Sequence, residues 1–218
     1  MTPSDAIDAL QDDPEEFLKK HLLVIAGSTQ PSGTRDYWIG YKDGPTMPGN
    51  PEKFRIQSST LGQTGVEHKF SAHSVKMLAS RDVIKSAADL AQIPGHVLSG
   101  SLPPLMVTGQ LTACTFAVGK APAGLICTHL QPGANIIPGP AMGLPASPAA
   151  RPLSGPELNT AVLNAGKFAG GGKVDVAFGP KFYPGQNVTI VGVNKGGVWS
   201  IWAQHTNGMT PSGAVQVY

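Results

Sequence analysis

Leu105–Pro132 reads LMVTGQLTACTFAVGKAPAGLICTHLQP, and two short runs inside it decide how the chain is to be read. Thr115–Val118 (TFAV) and Leu125–Thr128 (LICT) are apolar and rich in β-branched side chains, the composition that packs well on a pleated surface. Between them Gly119–Gly124 (GKAPAG) has glycine at both ends and proline inside, which is turn chemistry. The segment predicts an antiparallel hairpin. With a symmetric turn, Gly119 faces Gly124, Val118 faces Leu125 and Cys114 faces His129. Directly opposed residues share a sheet face, with Cβ atoms about 5 Å apart. A thiol and an imidazole placed that way meet the geometry of a cysteine nucleophile and its base. A one-residue slip separates them onto opposite faces. The plain alternative is a buried cysteine next to an incidental histidine, since free cysteine is among the most buried residue types.

Working outward, the flanks alternate short strands with capped helices. Asp13–Pro14–Glu15–Glu16 is a helix start, with Asp13 as cap, proline at the first helical position and Lys19–Lys20 at the far end. It belongs to a helical segment over residues 1–21. Leu22–Ala26, Tyr37–Tyr41 and Phe54–Ser58 read as strands, separated by a Gly/Ser/Thr-rich loop and by one with Pro45, Pro48 and Pro51. Val66–Leu78 alternates in part and predicts a strand or a bent strand pair. Ser80–Gln92 has helical spacing through Val83, Ile84, Ala87, Leu90 and Ala91, ended by Pro94–Gly95.

Beyond the hairpin, residues 131–156 form a Pro/Gly-rich loop placed to border the site. Ser154–Gly155–Pro156–Glu157 is a second capping box, opening a helix to about Ala165. Val174–Phe178, Asn187–Val193, Gly197–Gln204 and Ala214–Tyr218 read as strands, the middle two joined by Asn194–Lys195–Gly196. Trp199 and Trp202 face opposite sides of their strand, and at least one of them belongs to the core. These elements predict an α+β fold: a central mixed or antiparallel β-sandwich-like core flanked by a few helices and long loops. It is read as a single catalytic domain over residues 1–218.

Composition narrows the function classes. The 218 residues carry a net charge of +2, with 14% charged residues and no block of lysine or arginine. That argues against a nucleic-acid partner and against a membrane surface. No apolar run approaches the roughly 18 residues that a membrane span needs. Residues 1–20 are acidic where a secretory signal is basic and then apolar. His68, His73 and His96 have no metal-ligand spacing with one another or with the cysteines, so neither a metal nor a cofactor is expected. The two cysteines, Cys114 and Cys127, lie diagonally in the symmetric register, with Cys127 facing Phe116. That is too far for a comfortable disulfide, so both read as free thiols.

Taken together, Thr108, Cys114 and His129 give the segment a family likeness. Leu111–Thr112–Ala113–Cys114 followed by His129, with Thr108 six residues before the cysteine, resembles the catalytic core of the bacterial glutamine deamidases. That group includes the cytotoxic necrotizing factors, the Burkholderia lethal factor and the chemoreceptor glutamine deamidase. The likeness covers about 25 residues. Thr112 stands where the family usually has serine and Ala113 where it has glycine. If that glycine serves a positive φ, alanine there is strained.

The resemblance implies a protein glutamine deamidase. Cys114 is its nucleophile, His129 its base, Thr108 the residue that orients the histidine, and the backbone around Thr112 and Ala113 the oxyanion stabiliser. It implies a thioester intermediate, hydrolysed by water or, with an amine in place of water, resolved by transglutamination. It also implies a bacterial effector or toxin with a role in virulence, secreted without a signal peptide and acting on a protein in the target cell's cytoplasm. A secretion chaperone or an immunity protein is the further partner such a protein would have. Two alternatives stay open: a cysteine peptidase, and a non-catalytic β-sandwich binding module.

Overall fold

The computed structural model describes residues 1–26, 31–47, 50–61 and 67–218. Residues 27–30 of the Gly/Ser/Thr-rich loop, Pro48, and Val66 of the expected strand fall outside them.

Two capped helices open the chain. The Thr2 hydroxyl accepts from the Asp5 N–H while the Asp5 carboxylate accepts from the Thr2 N–H, starting α1 (Pro3–Asp12). Asp13 accepts from the Glu16 N–H and starts α2 (Pro14–Lys20), where Pro14 has no helical hydrogen bond to lose. Four strands follow: β1 (Leu22–Ile25), β2 (Gly33–Tyr41), β3 (Lys53–Ser58) and β4 (Glu67–Val75). The segment after β4 bends into β5 (Met77–Ala79), so the strand pair is the form realised.

Ser80–Gln92 is not the single helix that its spacing predicts. One turn, α3 (Ser80–Val83), stops at Ile84, and a 3-10 stretch restarts at Ala87–Gln92 behind a capping box of Ser86 and Asp89. The Asp89 carboxylate accepts from the Lys85 and Ser86 N–H groups, local bonds that compete with continuing the helix. Of the residues in the apolar pattern Ile84 and Leu90 are buried, Val83 is half-buried, and Ala87 and Ala91 are exposed, so the two short pieces bury only part of it.

After β6 (His96–Ser99) and β7 (Leu105–Thr108) comes the central hairpin, β8 (Thr115–Ala121) with β9 (Gly124–Gln131). Its register is not the symmetric one. Phe116 pairs with His129, Val118 with Cys127 and Ala121 with Gly124. His129 therefore faces Phe116 rather than Cys114, and Cys127 faces Val118 rather than Phe116. Gly119, Lys120 and Ala121 continue the ladder, which shortens the turn to Pro122–Ala123 and lets Gly124 take φ 141°, a conformation suited to glycine. The slip is two residues, an even number, so every side chain keeps its face.

Residues 131–156 are not a structureless loop. Gln131 ends β9, β10 (Asn135–Ile136) pairs with β11 (Arg151–Pro152), and Pro140–Met142 makes a 3-10 turn between them. Ala134, Ile136, Met142, Leu144 and Leu153 anchor the segment in a hydrophobic core. The prolines and glycines punctuate the chain while these apolar residues hold it. Next comes α4 (Gly155–Ala165), with the Ser154–Glu157 capping box in place. Four strands complete the chain: β12 (Val176–Phe178), β13 (Asn187–Lys195), β14 (Val198–Asn207) and β15 (Thr210–Gln216). The β13–β14 turn falls at Gly196–Gly197, because Asn194 and Lys195 pair with Trp199 and Val198. Trp199 and Trp202 are both buried.

These elements form two compact units, each assembled from separated stretches of chain. The first comprises Met1–Lys76, Gly100–Gln110 and Gln186–Tyr218. Its eight-stranded mixed sheet runs β1-β3-β2-β4-β7-β13-β14-β15, with β1/β3 and β4/β7 parallel. The sheet curls on itself: on β1 the Leu23 N–H donates to Gln204 Oε1, and the Leu23 carbonyl accepts from the Thr189 hydroxyl of β13. Leu10, Phe17 and Leu18 from the helices pack on Phe54, Ile56, Val107 and Val191.

The second unit comprises Met77–Ser99 and Leu111–Gly185. Its sheet runs β12-β8-β9-β5, and β6 pairs with β9 alongside β5. Leu158, Ala161 and Val162 of α4 cover Ala117, Ile126 and Leu130 of the hairpin. Each leucine, isoleucine or valine among them contributes about 1.5–3 kcal/mol on burial. The fold class is α+β.

Candidate active site

Side chains alternate across a strand, so Phe116, Val118, Cys127 and His129 share one face of the hairpin, opposite the face that carries Ala117, Ile126 and Leu130 against α4. His129 is fully buried there. Its ring meets Phe116 edge-on, with centroids 6.5 Å apart and planes at 72°. On its other side Met77 of β5 is its parallel-strand neighbour.

Cys114 sits just before β8, two residues from Phe116. Its thiol lies against the Met77 thioether, sulfur to sulfur 3.8 Å, which puts it on the His129 side of the sheet. Cys114 and His129 are thus diagonal neighbours on one face rather than directly opposed. Diagonal residues are about 7–8 Å apart at the backbone, within reach of an aromatic-sized side chain.

The two cysteines differ in electrostatics. Burial pushes the Cys114 thiol above its ordinary value, but the backbone N–H groups of Thr112 and Ala113 turn toward the sulfur and pull the other way. Cys127 is entirely enclosed, its thiol points at the His96 carbonyl 3.8 Å away, and burial alone pushes it far up. Burial lowers His129 from 6.5 to about 4, so the imidazole is neutral at pH 7 and a weaker base than an exposed histidine.

Ala113 carries none of the strain that a positive φ would impose, since no residue other than glycine has a positive φ among the described residues. Its carbonyl faces the start of α4, where a Cβ on Gly155 would come within 2.5 Å of the oxygen. Glycine is what lets the helix approach the Leu111–Cys114 turn so closely.

The structure brings Cys114, His129, Thr112 and Ala113 together in the second unit. Thr108 belongs to the first, on β7, where its hydroxyl donates to the Val75 carbonyl at 2.7 Å. Alongside Ile25, Tyr37, Ser74 and Gly109 it lines a recess with room for little more than one water.

Two residues by Cys114 were beyond sequence reasoning. Tyr183 donates its phenolic hydroxyl to the Cys114 carbonyl at 2.5 Å from 69 positions away, and Met77 covers the thiol from 37 away. No local pattern marks either one. Among the described residues no group of three or more His, Cys, Asp or Glu is placed to hold a metal ion, and no helix is long and apolar enough to cross a membrane. Comparison with known proteins finds no matching family model and no matching curated protein.

Proposed function

We propose that the protein is a cysteine-dependent amidohydrolase that converts protein glutamine to glutamate, acting as a secreted bacterial effector on a protein of the target cell. The observation that carries this reading is the arrangement at one end of the hairpin. Cys114 and neutral His129 share a face, and two backbone N–H groups turn toward the sulfur.

The chemistry follows from those groups. His129 takes the thiol proton, and the Thr112 and Ala113 N–H groups favour the thiolate. The sulfur attacks the carboxamide carbon and forms an S–C bond, and the carbonyl oxygen becomes an oxyanion held by nearby backbone N–H groups. The oxyanion collapses, the C–N bond breaks, and the histidine's proton leaves with the nitrogen as ammonia. Water activated by His129 then cleaves the thioester, giving glutamate and restoring the thiol. For the imidazole to reach the sulfur across the diagonal, Met77 has to yield.

The test is incubation of wild type and Cys114→Ala with target-cell lysate, scored by mass spectrometry for Gln→Glu conversion. Conversion by wild type alone is the expected result, and equal spectra for the two proteins would sink the reading. A non-catalytic binding module is the second reading, favoured by one observation: the thiol packs on a thioether and is only 5% exposed. Iodoacetamide labelling of Cys114 no faster than that of Cys127 would support that module instead.

A further inference from the structure

Tyr183 ends a tight connection, the 3-10 turn Pro180–Phe182 that follows β12. It is 1% exposed, and its hydroxyl is spent on the carbonyl of Cys114. The ring is held from the side: Phe178 stacks on it with centroids 5.6 Å apart and planes at 28°, and Phe182 stacks on Phe178 at 5.3 Å and 10°. Phe178 is also the cross-strand partner of Phe116, which faces His129. Phe178 therefore joins, by strand pairing on one side and ring stacking on the other, the residue opposite the base to the residue that grips the nucleophile's backbone.

We infer that Tyr183 is a positioning residue for Cys114, holding the Cys114 backbone in place so that its sulfur stays beside the Thr112 and Ala113 N–H groups. The inference rests on reading Cys114 as a nucleophile. A residue at the start of a strand has one soft torsion on its carbonyl side that the ladder does not hold, and a buried hydrogen bond to that carbonyl holds it. Burial and the nearby Cys114 sulfur both push the phenol's ionisation to higher pH, so it remains a protonated donor across the working range. The Tyr183 hydroxyl is given to the Cys114 carbonyl and not to its sulfur, which is why it positions rather than reacts.

The experiment is the pH dependence of Cys114 alkylation by iodoacetamide, read peptide by peptide on the intact protein. It needs no knowledge of the substrate. Tyr183→Phe keeps the ring and removes only the donor. The expected result is a Cys114 midpoint raised by roughly half to one pH unit and a rate at pH 7 lowered about 3–10-fold. Phe182→Ala, which trims the exposed end of the stack, should leave both unchanged.

An unchanged midpoint in folded Tyr183→Phe overturns the inference, whatever happens to its melting temperature, because a merely structural tyrosine moves stability alone. An equal shift in Phe182→Ala overturns it as well. If Tyr183→Phe does not fold, Phe178→Leu frees the phenol while keeping it, and the same two outcomes decide. If wild-type Cys114 labels no faster than Cys127, the nucleophile reading itself fails and this inference with it. That outcome is separate from a fast, histidine-shaped wild-type profile that Tyr183→Phe leaves untouched.

Discussion

Cys114 and Cys127 lie 13 positions apart on one hairpin, yet their surroundings differ in kind. Cys127 is mid-strand, paired with Val118, closed over completely and aimed at a carbonyl that can only discourage ionisation. Cys114 is where the chain enters the strand, and there the backbone has not yet committed its N–H groups to a ladder. Those of Thr112 and Ala113 are turned toward the sulfur. The difference teaches where a sheet can host a reactive group. Inside the ladder the polar backbone is used up by pairing, and at its mouth some of it remains available.

Exchanging the two residues one at a time should separate these roles most widely. Cys114→Ala is expected to lower Gln→Glu conversion by roughly three orders of magnitude or more, as loss of a covalent nucleophile does. Cys127→Ala should leave conversion within about twofold and cost roughly 1–2 kcal/mol in urea unfolding from the small cavity it creates. Comparable activity in both variants would erase the contrast.

The second way to sharpen it is pH. His129 titrates near 4 in the folded protein against 6.5 for an exposed histidine. As pH falls, the unfolded chain takes the proton first, so the stability due to neutral His129 is complete above about pH 6.5 and is lost as pH drops toward 4. The total is about 3 kcal/mol over that window. Burial lowers His21, His96 and His205 in the same direction, so the measurement is the difference between wild type and His129→Gln. The variant's stability should fall less steeply between pH 7 and 4.5, and parallel curves would show that His129 is not held neutral.

Smaller effects probe the cover and the turn. Met77→Ala removes the thioether over Cys114 and should raise its alkylation rate several-fold, with no change at Cys127, at a cost of roughly 1–3 kcal/mol. A Cys114 rate that does not rise would mean that Met77 is not what limits access. The smallest effect is expected of Ala113→Gly. Because Ala113 has no positive φ, glycine at that position gains no strain relief. The result should be a loss of about 0.5–1 kcal/mol from added chain entropy and little change in Cys114 reactivity.

Much of the architecture is legible in local sequence. Asp13–Pro14–Glu16 and Ser154–Glu157 start helices because a cap needs only residues three apart. The strands at Leu22–Ile25, Lys53–Ser58 and Asn187–Lys195 follow from β-branched composition between turn residues. Reading failed where two local signals competed. Ser86 and Asp89 broke a helix that the apolar spacing predicted, and buried apolar side chains from Ala134 to Leu153 ordered a stretch whose proline content suggested a loop. In the candidate site, the faces of Cys114 and His129 were legible because an even slip preserves them, while the register was not.

The local order of side chains thus specifies the caps, most element types, a hairpin turning within Gly119–Gly124, and the placing of a cysteine and a histidine on one of its faces. These depend on interactions within a few residues of chain, which the order of side chains specifies. Long-range packing sets the rest: His129 faces Phe116, Met77 covers the thiol, Tyr183 holds the Cys114 carbonyl, and the Thr108 hydroxyl donates to the Val75 carbonyl. Those contacts join positions dozens of residues apart. They are selected by how whole sheets pack and satisfy their buried polar groups, and no window along the chain contains both partners.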